Sequence, residues 1–147
     1  MPTKVRCVTY TDEFSAGHCS YTDLLIGAKH QAVGCNSKVF AASRPGDLVI
    51  ITANKGKERF FTIGTLDQRL LECNLWADEG GHVWTYNSMY IPLTGIHAVS
   101  PAIKELVTTL CTKYLVDPRY VMHSRFCGER YAPVLRDLVA ALAAPKT

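Results

Sequence analysis

The sequence lacks the features that mark several large classes of protein. Its first residues contain no apolar core of the kind that secretory signals carry, and no apolar run approaches the roughly 18 residues that span a membrane. The formal net charge is only +3 over 147 residues, so charge permits a nucleic-acid partner without requiring one. We therefore expect a cytoplasmic protein with a single domain over residues 1–147, a length that buries about two-thirds of the unfolded surface.

Recognisable catalytic and metal-binding motifs are also absent. The sequence has no Gly-x-Ser-x-Gly, His-Glu-x-x-His, Walker loop or Gly-x-Gly-x-x-Gly. None of its six cysteines forms a Cys-x-x-Cys pair, although His18, Cys19, His30 and Cys35 are close enough in sequence to keep a zinc site as an alternative. Without a secretory signal, disulfides are not expected. We predict free thiols acting as small hydrophobes, with no catalytic residues, metal or cofactor.

The clearest signals of local structure in the sequence lie between Gly27 and Ile51. A Pro-Gly turn at Arg44–Asp47 leads into Leu48–Ile51, a run of apolar, mostly β-branched residues typical of a strand buried on both faces. Asn36 and Ser37 are good N-cap residues, which predicts a short helix between them and the turn. Upstream, a shorter turn is predicted to stop at Gly27, and a polar loop is expected between it and the short helix.

Other strands are predicted on both sides of this stretch. Val5–Thr11 alternates with the period of a strand. Asn54–Lys57 is a turn between two apolar runs, so the strands Leu48–Ala53 and Arg59–Gly64 should form a hairpin. His82–Leu93 is aromatic and β-branched enough for one or two more strands, with Pro92 marking an end or an edge.

The last third changes to a helical period. Ser100 and Pro101 have the sequence of an N-cap followed by a first-turn proline, and apolar residues then recur at three- and four-residue steps. A second helix is predicted to begin near Pro133. The chain is therefore expected to be an α+β domain built on a small curved sheet or open β-barrel of about five or six strands, with a short helix early and two helices in the C-terminal third.

A family resemblance is carried by Gly27-Ala28-Lys29, Asn36, the short helix, and Pro45-Gly46-Asp47-Leu48-Val49-Ile50. This order resembles the Gly-Val-Arg, Asn and Gly-Asp-Leu-Val pattern of EVE domains, which belong to the PUA-like superfamily and are related to YTH domains. The later parts of the chain, a hairpin, a tryptophan-bearing loop and a closing helix, follow the same order. The resemblance implies a PUA-like fold and a pocket for a modified or flipped base.

Five residues are predicted to line that pocket. Lys29 stands at the arginine position of the EVE pattern, and the amide of Asn36 suits the edge of a base, although it is equally suited to cap the short helix. Trp76 lies in a Gly-rich acidic loop and is the best candidate for stacking on a base. Trp84 and Tyr86 have even spacing, which places them on one strand face as part of either a cage or the core.

Four basic residues, Lys38, Lys55, Lys57 and Arg59, are predicted to bind phosphates, with a solvated basic surface as the alternative. Three classes of function remain open. The first is a module that binds nucleic acid, DNA or RNA, or a modified nucleotide. The second is a small nucleotide-directed enzyme using His and Cys, as in the ASCH branch of the same superfamily, and the third is a domain that binds a small molecule or a protein.

Overall fold

A computed structural model describes residues 3–10, 20–36, 38–70, 84–121, 126 and 128–143. In chain order, the elements in these ranges are β1 (Val5–Tyr10), α1 (Ser20–His30), β2 (Ala32–Cys35), a 3₁₀ helix (Lys38–Ala42), β3 (Leu48–Lys55), β4 (Glu58–Leu70), β5 (Tyr86–Pro92), β6 (His97–Ala98), α2 (Pro101–Lys113), two 3₁₀ turns (Pro118–Tyr120 and Glu129–Tyr131) and α3 (Ala132–Ala143). The predicted α+β class is confirmed.

The strands form one sheet that curls into half of a barrel. Five of them follow the order β1-β3-β4-β5-β2, and the short β6 pairs with β4. β1 runs parallel to β3 from the pair Val5 and Leu48, while the other pairings are antiparallel. The predicted hairpin is confirmed, and its two-residue turn has Gly56 at a φ of 62°, a conformation that glycine adopts without strain.

The sheet separates two apolar clusters. On one face, α2 and α3 pack against β1, β3 and β4, and on the other, α1 packs against residues from five of the strands. β3 serves both clusters, because Leu48 and Ile50 join the first whereas Val49 and Ile51 join the second. This alternation confirms that the apolar run after the Pro-Gly turn is a strand buried on both faces.

The two C-terminal helices agree with their sequence signals. The Ser100 hydroxyl oxygen accepts a hydrogen bond from the backbone N–H of Ile103 at 3.2 Å, and Pro101 occupies the first helical position of α2. Such a cap stabilises a helix by about 1 kcal/mol. α3 begins at Ala132, next to the predicted Pro133. Within the described residues, none of the helices has both the length and the apolar character of a membrane span.

The Pro-Gly turn is held by Asp47. Gly46 has a φ of 89° and the N–H of Asp47 donates to the carbonyl of Arg44 at 3.1 Å, as in a turn with proline second and glycine third. The Asp47 carboxylate accepts from the Arg44 N–H at 3.0 Å and lies 3.6 Å from Nε of Arg6. Gly46 and Asp47, which belong to the EVE-like pattern, therefore stabilise the turn before β3 in this chain.

Two local predictions were wrong. α1 runs through Gly27 to His30 and ends where Gln31 takes a φ of 51°. The buried side of α1 packs against the sheet, and this packing outweighs the roughly 1 kcal/mol that a glycine costs inside a helix. The stretch before Asn36 was expected to be a polar loop, but β2 lies there because it pairs with β5.

Several predictions concern residues outside the described ranges. They are the end of the first strand at Thr11, the loop that carries Trp76, and the first two residues of the predicted strand region His82–Leu93. The predicted short helix after Asn36 is present as the 3₁₀ helix Lys38–Ala42.

Candidate functional site

The predicted site residues fall mainly into two regions of the sheet. The first, which we call the β2–β5 ribbon, comprises Ala32–Asn36 and Trp84–Tyr90 and brings Asn36, Trp84 and Tyr86 together. The second, which we call the hairpin end, comprises Asn54–Arg59 and the residues bonded to it, and it carries three of the four predicted phosphate ligands.

Three predicted residues belong to neither region. Lys29 is exposed in the last turn of α1, and Lys38 is exposed in the 3₁₀ helix. Trp76 lies outside the described residues. The structure therefore groups some of the predicted ligands but does not bring all of them to one place.

Asn36 ties the two strands of the ribbon together. Its side-chain oxygen accepts from the backbone N–H of Thr85 at 2.9 Å and from the Thr85 hydroxyl at 3.1 Å. These bonds favour a role in joining the two strands over the capping alternative. The residue remains exposed, and its amide N–H groups face no partner in these ranges.

Trp84 packs in the core of the ribbon. It is 7% exposed, and its ring lies so close to Gly34 that a Cβ atom on that glycine would come within 2.3 Å of the ring. The ring of Tyr10 packs on it with a centroid distance of 4.9 Å. Because Trp84 precedes the first residue of β5, the alternation expected of a strand does not apply to it. This geometry supports the core alternative for Trp84.

Tyr10 closes the gap between the two edge strands of the half-barrel. It is the last residue of β1, and its hydroxyl oxygen accepts from the backbone N–H of Gly34 in β2 at 3.1 Å. Burial raises the pKa of Tyr10 well above its ordinary value, which the bond to Gly34 only partly offsets. Burial also raises the pKa of Tyr90 to about 12. Both tyrosines therefore stay neutral at physiological pH.

Asn87 carries an unusual buried oxygen. The residue is 8% exposed, and its amide nitrogen donates to the carbonyl of Trp84 at 3.2 Å. That bond fixes the amide orientation, because the opposite flip would place two acceptors against each other. Its side-chain oxygen is buried and has no hydrogen-bond partner among the described residues. Leaving such an acceptor unsatisfied costs about 1–3 kcal/mol.

Asn87 shares its face of the ribbon with the indole of Trp84. It stands directly opposite Gly34 in the antiparallel register, and residues so paired point to the same side. The Cβ direction of Gly34 points at the Trp84 ring. Tyr86, which is half-buried, lies next to Asn87 in sequence and opposite Cys35. The Asn87 side chain therefore lies on the Trp84 side of the ribbon, whereas Tyr86 faces the other side.

The hairpin end is basic and is anchored to α1. The hydroxyl of Ser20, the first residue of α1, bonds both the N–H and the carbonyl of Asn54 at 2.6 Å. Nζ of Lys55 lies 5.2 Å from the centre of the Tyr21 ring, a cation–π arrangement. Lys57 occupies the exposed turn. Both lysines are exposed and add positive potential at this end of the sheet.

Arg59 differs from these lysines because its side chain is half-buried. One terminal nitrogen donates to the hydroxyl of Thr52 at 3.1 Å, while Nε is buried and has no hydrogen-bond partner in the ranges that the structure describes. Burial lowers the pKa of Arg59 from its ordinary value. No carboxylate forms an ion pair with it there. By contrast, Arg6 is paired with Asp47.

The described cysteines, Cys7, Cys35 and Cys111, are all free of disulfides. Burial, with a smaller contribution from Asp117, raises the pKa of the Cys111 thiol to about 11, as expected for a thiol that serves as a core hydrophobe. The described residues contain no group of three His, Cys, Asp or Glu side chains placed to hold a metal ion. The other three cysteines lie outside those residues.

A comparison of the sequence with protein-family models gives no match, and a comparison with curated protein sequences gives none either. The EVE-type resemblance therefore stays a prediction.

Sequence reasoning missed Tyr10, Asn87, Thr9 and Thr52. No signal in the sequence distinguishes these residues, because an asparagine or a threonine within a strand is ordinary. Their importance arises from which partners the fold does or does not provide.

Proposed function

We propose that this protein binds a nucleic acid or nucleotide through a modified or flipped base held by the β2–β5 ribbon, as the EVE-type resemblance implies. The observation that carries the proposal is the buried side-chain oxygen of Asn87, which lacks a partner in the described residues. The edge of a base bears N–H groups, and one of these would satisfy that oxygen. The indole of Trp84 lies on the same face of the ribbon as Asn87 and supplies flat apolar surface there.

Two further features support the proposal. The exposed amide of Asn36 is fixed beside the ribbon by Thr85 and still has N–H groups to donate. The hairpin end supplies the positive charge that a phosphate backbone requires. The +3 net charge is small, which favours recognition of a single base over tight, sequence-independent binding to a long duplex.

Because Asn87 is only 8% exposed, a base can reach its side-chain oxygen only after a local opening of the ribbon. The experiment is therefore a titration of modified and unmodified nucleosides and short oligonucleotides, followed by tryptophan fluorescence and amide NMR shifts. Asn87→Leu keeps the volume but removes the acceptor and should weaken binding at least about tenfold, which corresponds to one lost hydrogen bond of roughly 1.4 kcal/mol. Ser88→Ala, a buried polar change on the same strand, is the matched control.

Trp76→Ala should remove a stacking face worth about 1–3 kcal/mol while the fold survives. The proposal fails if none of these ligands binds the wild-type protein, or if Asn87→Leu binds as tightly as Ser88→Ala. A Trp76→Ala variant that unfolds would place Trp76 in the core and remove it from the site.

A further inference from the structure

We infer that Arg59, Thr52 and Thr9 form a binding site for a tetrahedral oxyanion, the phosphate group of a nucleotide or nucleic acid. This inference deepens the proposed function, on which it rests for the source of the phosphate. The site belongs to β1, β3 and β4, whereas the proposed base pocket belongs to β2 and β5. The two sites can therefore be tested separately.

The three side chains lie on one face of the sheet. Thr9 and Thr52 are register partners in the parallel pair of β1 and β3. Arg59 stands opposite Asn54, two residues beyond Thr52, and thus shares the face of Thr52. The Arg59 guanidinium donates to the Thr52 hydroxyl at 3.1 Å, and that hydroxyl donates to the Thr9 hydroxyl oxygen at 3.1 Å.

Several hydrogen-bond donors of this cluster are not used by the bonds within it. Thr52 is 3% exposed and its single hydroxyl hydrogen is used on Thr9, so the hydrogen of the Thr9 hydroxyl remains. The guanidinium has five N–H groups and no acceptor, and only one bond from it is formed among the described residues. A positively charged guanidinium with several N–H donors beside a hydroxyl donor suits an anion rich in oxygen acceptors.

The charge of Arg59 is also unbalanced. Within the described residues it has no carboxylate partner, whereas Arg6 is paired with Asp47 and Arg119 with Asp117. A half-buried guanidinium with a shielded, unbonded Nε is unfavourable unless an anion compensates it. The pKa of Arg59 is lowered by burial and is not raised by any neighbouring acid, in agreement with this imbalance.

Inorganic phosphate is the first probe, because it carries the oxyanion without a base. In ¹⁵N NMR of the full chain, phosphate should give a saturable shift of the Arg59 Nε–H signal, while chloride at the same ionic strength should not. Arg59→Gln should weaken phosphate binding by roughly tenfold or more, since it removes a charge-assisted donor set. Lys104→Gln loses the same charge at an exposed position of α2 and should change the affinity by less than about threefold.

Thr9→Val keeps a β-branched shape in the strand and removes only the terminal hydroxyl, so it tests the site even if Arg59→Gln does not fold. It should weaken phosphate binding by about two- to fivefold. The site is wrong if phosphate behaves like chloride, or if a folded Arg59→Gln or Thr9→Val variant binds phosphate as the wild-type protein does.

The source of the phosphate is decided by comparing a nucleoside with its 5′-monophosphate. If the monophosphate binds more tightly than both the nucleoside and inorganic phosphate, and Arg59→Gln abolishes that gain, the nucleotide phosphate is the natural occupant. Equal affinity for the monophosphate and inorganic phosphate supports the oxyanion site with free phosphate as the occupant. Binding of the nucleoside alone tests the base pocket and not this site.

Discussion

The side-chain oxygen of Asn87 in the β2–β5 ribbon and Nε of Arg59 at the hairpin end are both buried and lack a hydrogen-bond partner in the described residues, but the two atoms have opposite character. In the ribbon the atom is an acceptor, the side-chain oxygen of Asn87, and it shares a face with the Trp84 ring. At the hairpin end the atom is a donor, Nε of Arg59, and the same guanidinium bonds the hydroxyl of Thr52. An unsatisfied acceptor suits the N–H edge of a base, whereas an unsatisfied cationic donor suits a phosphate.

The two regions also differ in how they are built. The ribbon is a short edge of the sheet held by tight packing, since Trp84 lies against Gly34 and Tyr10 bridges the gap to β1. The hairpin end is held by polar bonds, with Ser20 joined to Asn54. Damage to packing should therefore affect the ribbon, and removal of a hydroxyl should affect the hairpin end.

Gly34→Ala should have the largest effect. Its Cβ would come within 2.3 Å of the Trp84 ring, so the ring or β2 must shift, and we expect a loss of about 3 kcal/mol in the free energy of unfolding. Gly95→Ala is the control, because a Cβ there meets nothing within 4 Å. Denaturant unfolding measures both, and phosphate binding should persist in a folded Gly34→Ala. Equal stability of the two variants would contradict the tight packing of the ribbon.

The second-largest effect should come from alkaline pH, which should destabilise the ribbon. Because the pKa of Tyr90 is raised from 10.0 to about 12, the unfolded chain loses this proton first as the pH increases. The stability is thus fully present below pH 10 and declines by roughly 2 kcal/mol toward pH 12. Unfolding free energies of wild type and Tyr90→Phe over this range isolate the contribution. A decline of the same size in both proteins would show that Tyr90 is not its cause.

Ser20→Ala should weaken the hairpin end by about 1–2 kcal/mol, because the Asn54 N–H and carbonyl would both lose their bonds to the Ser20 hydroxyl. Hydrogen exchange at Asn54 should accelerate, while exchange in the ribbon should not. Thr112→Ala, which removes an exposed helical hydroxyl, is the control and should remain within about 0.5 kcal/mol of wild type.

Lys57→Ala should have the smallest effect on stability, within about 0.5 kcal/mol, since its side chain is exposed at the turn. It should nevertheless reduce the slope of log affinity against log salt by about one for an oligonucleotide ligand, evenly across sequences. Binding measured at several salt concentrations tests this. An unchanged slope would show that Lys57 does not contact a phosphate.

The elements that were predicted correctly are those with strong local causes. Ser100 and Pro101 define the start of α2 through a cap and a fixed φ, and Pro45 with Gly46 defines the turn before β3. The apolar run Leu48–Ile51 after that turn has no polar residue to face solvent, so burial on both faces followed from the sequence. α1 and β2 were missed because Gly27 and Gly34 weaken the local helix and strand signals, and the tertiary contacts that overcome them are absent from any short window of sequence.

The sequence by itself determined the α+β class, the hairpin, the buried central strand and the two C-terminal helices, because these follow from periodicity and from the backbone preferences of proline and glycine. It also indicated that Lys55, Lys57 and Arg59 lie close together, since one hairpin carries them all. Only the tertiary structure decided that, among the described residues, the half-buried Arg59 has no carboxylate partner and the buried oxygen of Asn87 has no hydrogen bond. Whether a polar atom is satisfied depends on residues brought from distant parts of the chain, and local sequence does not specify them.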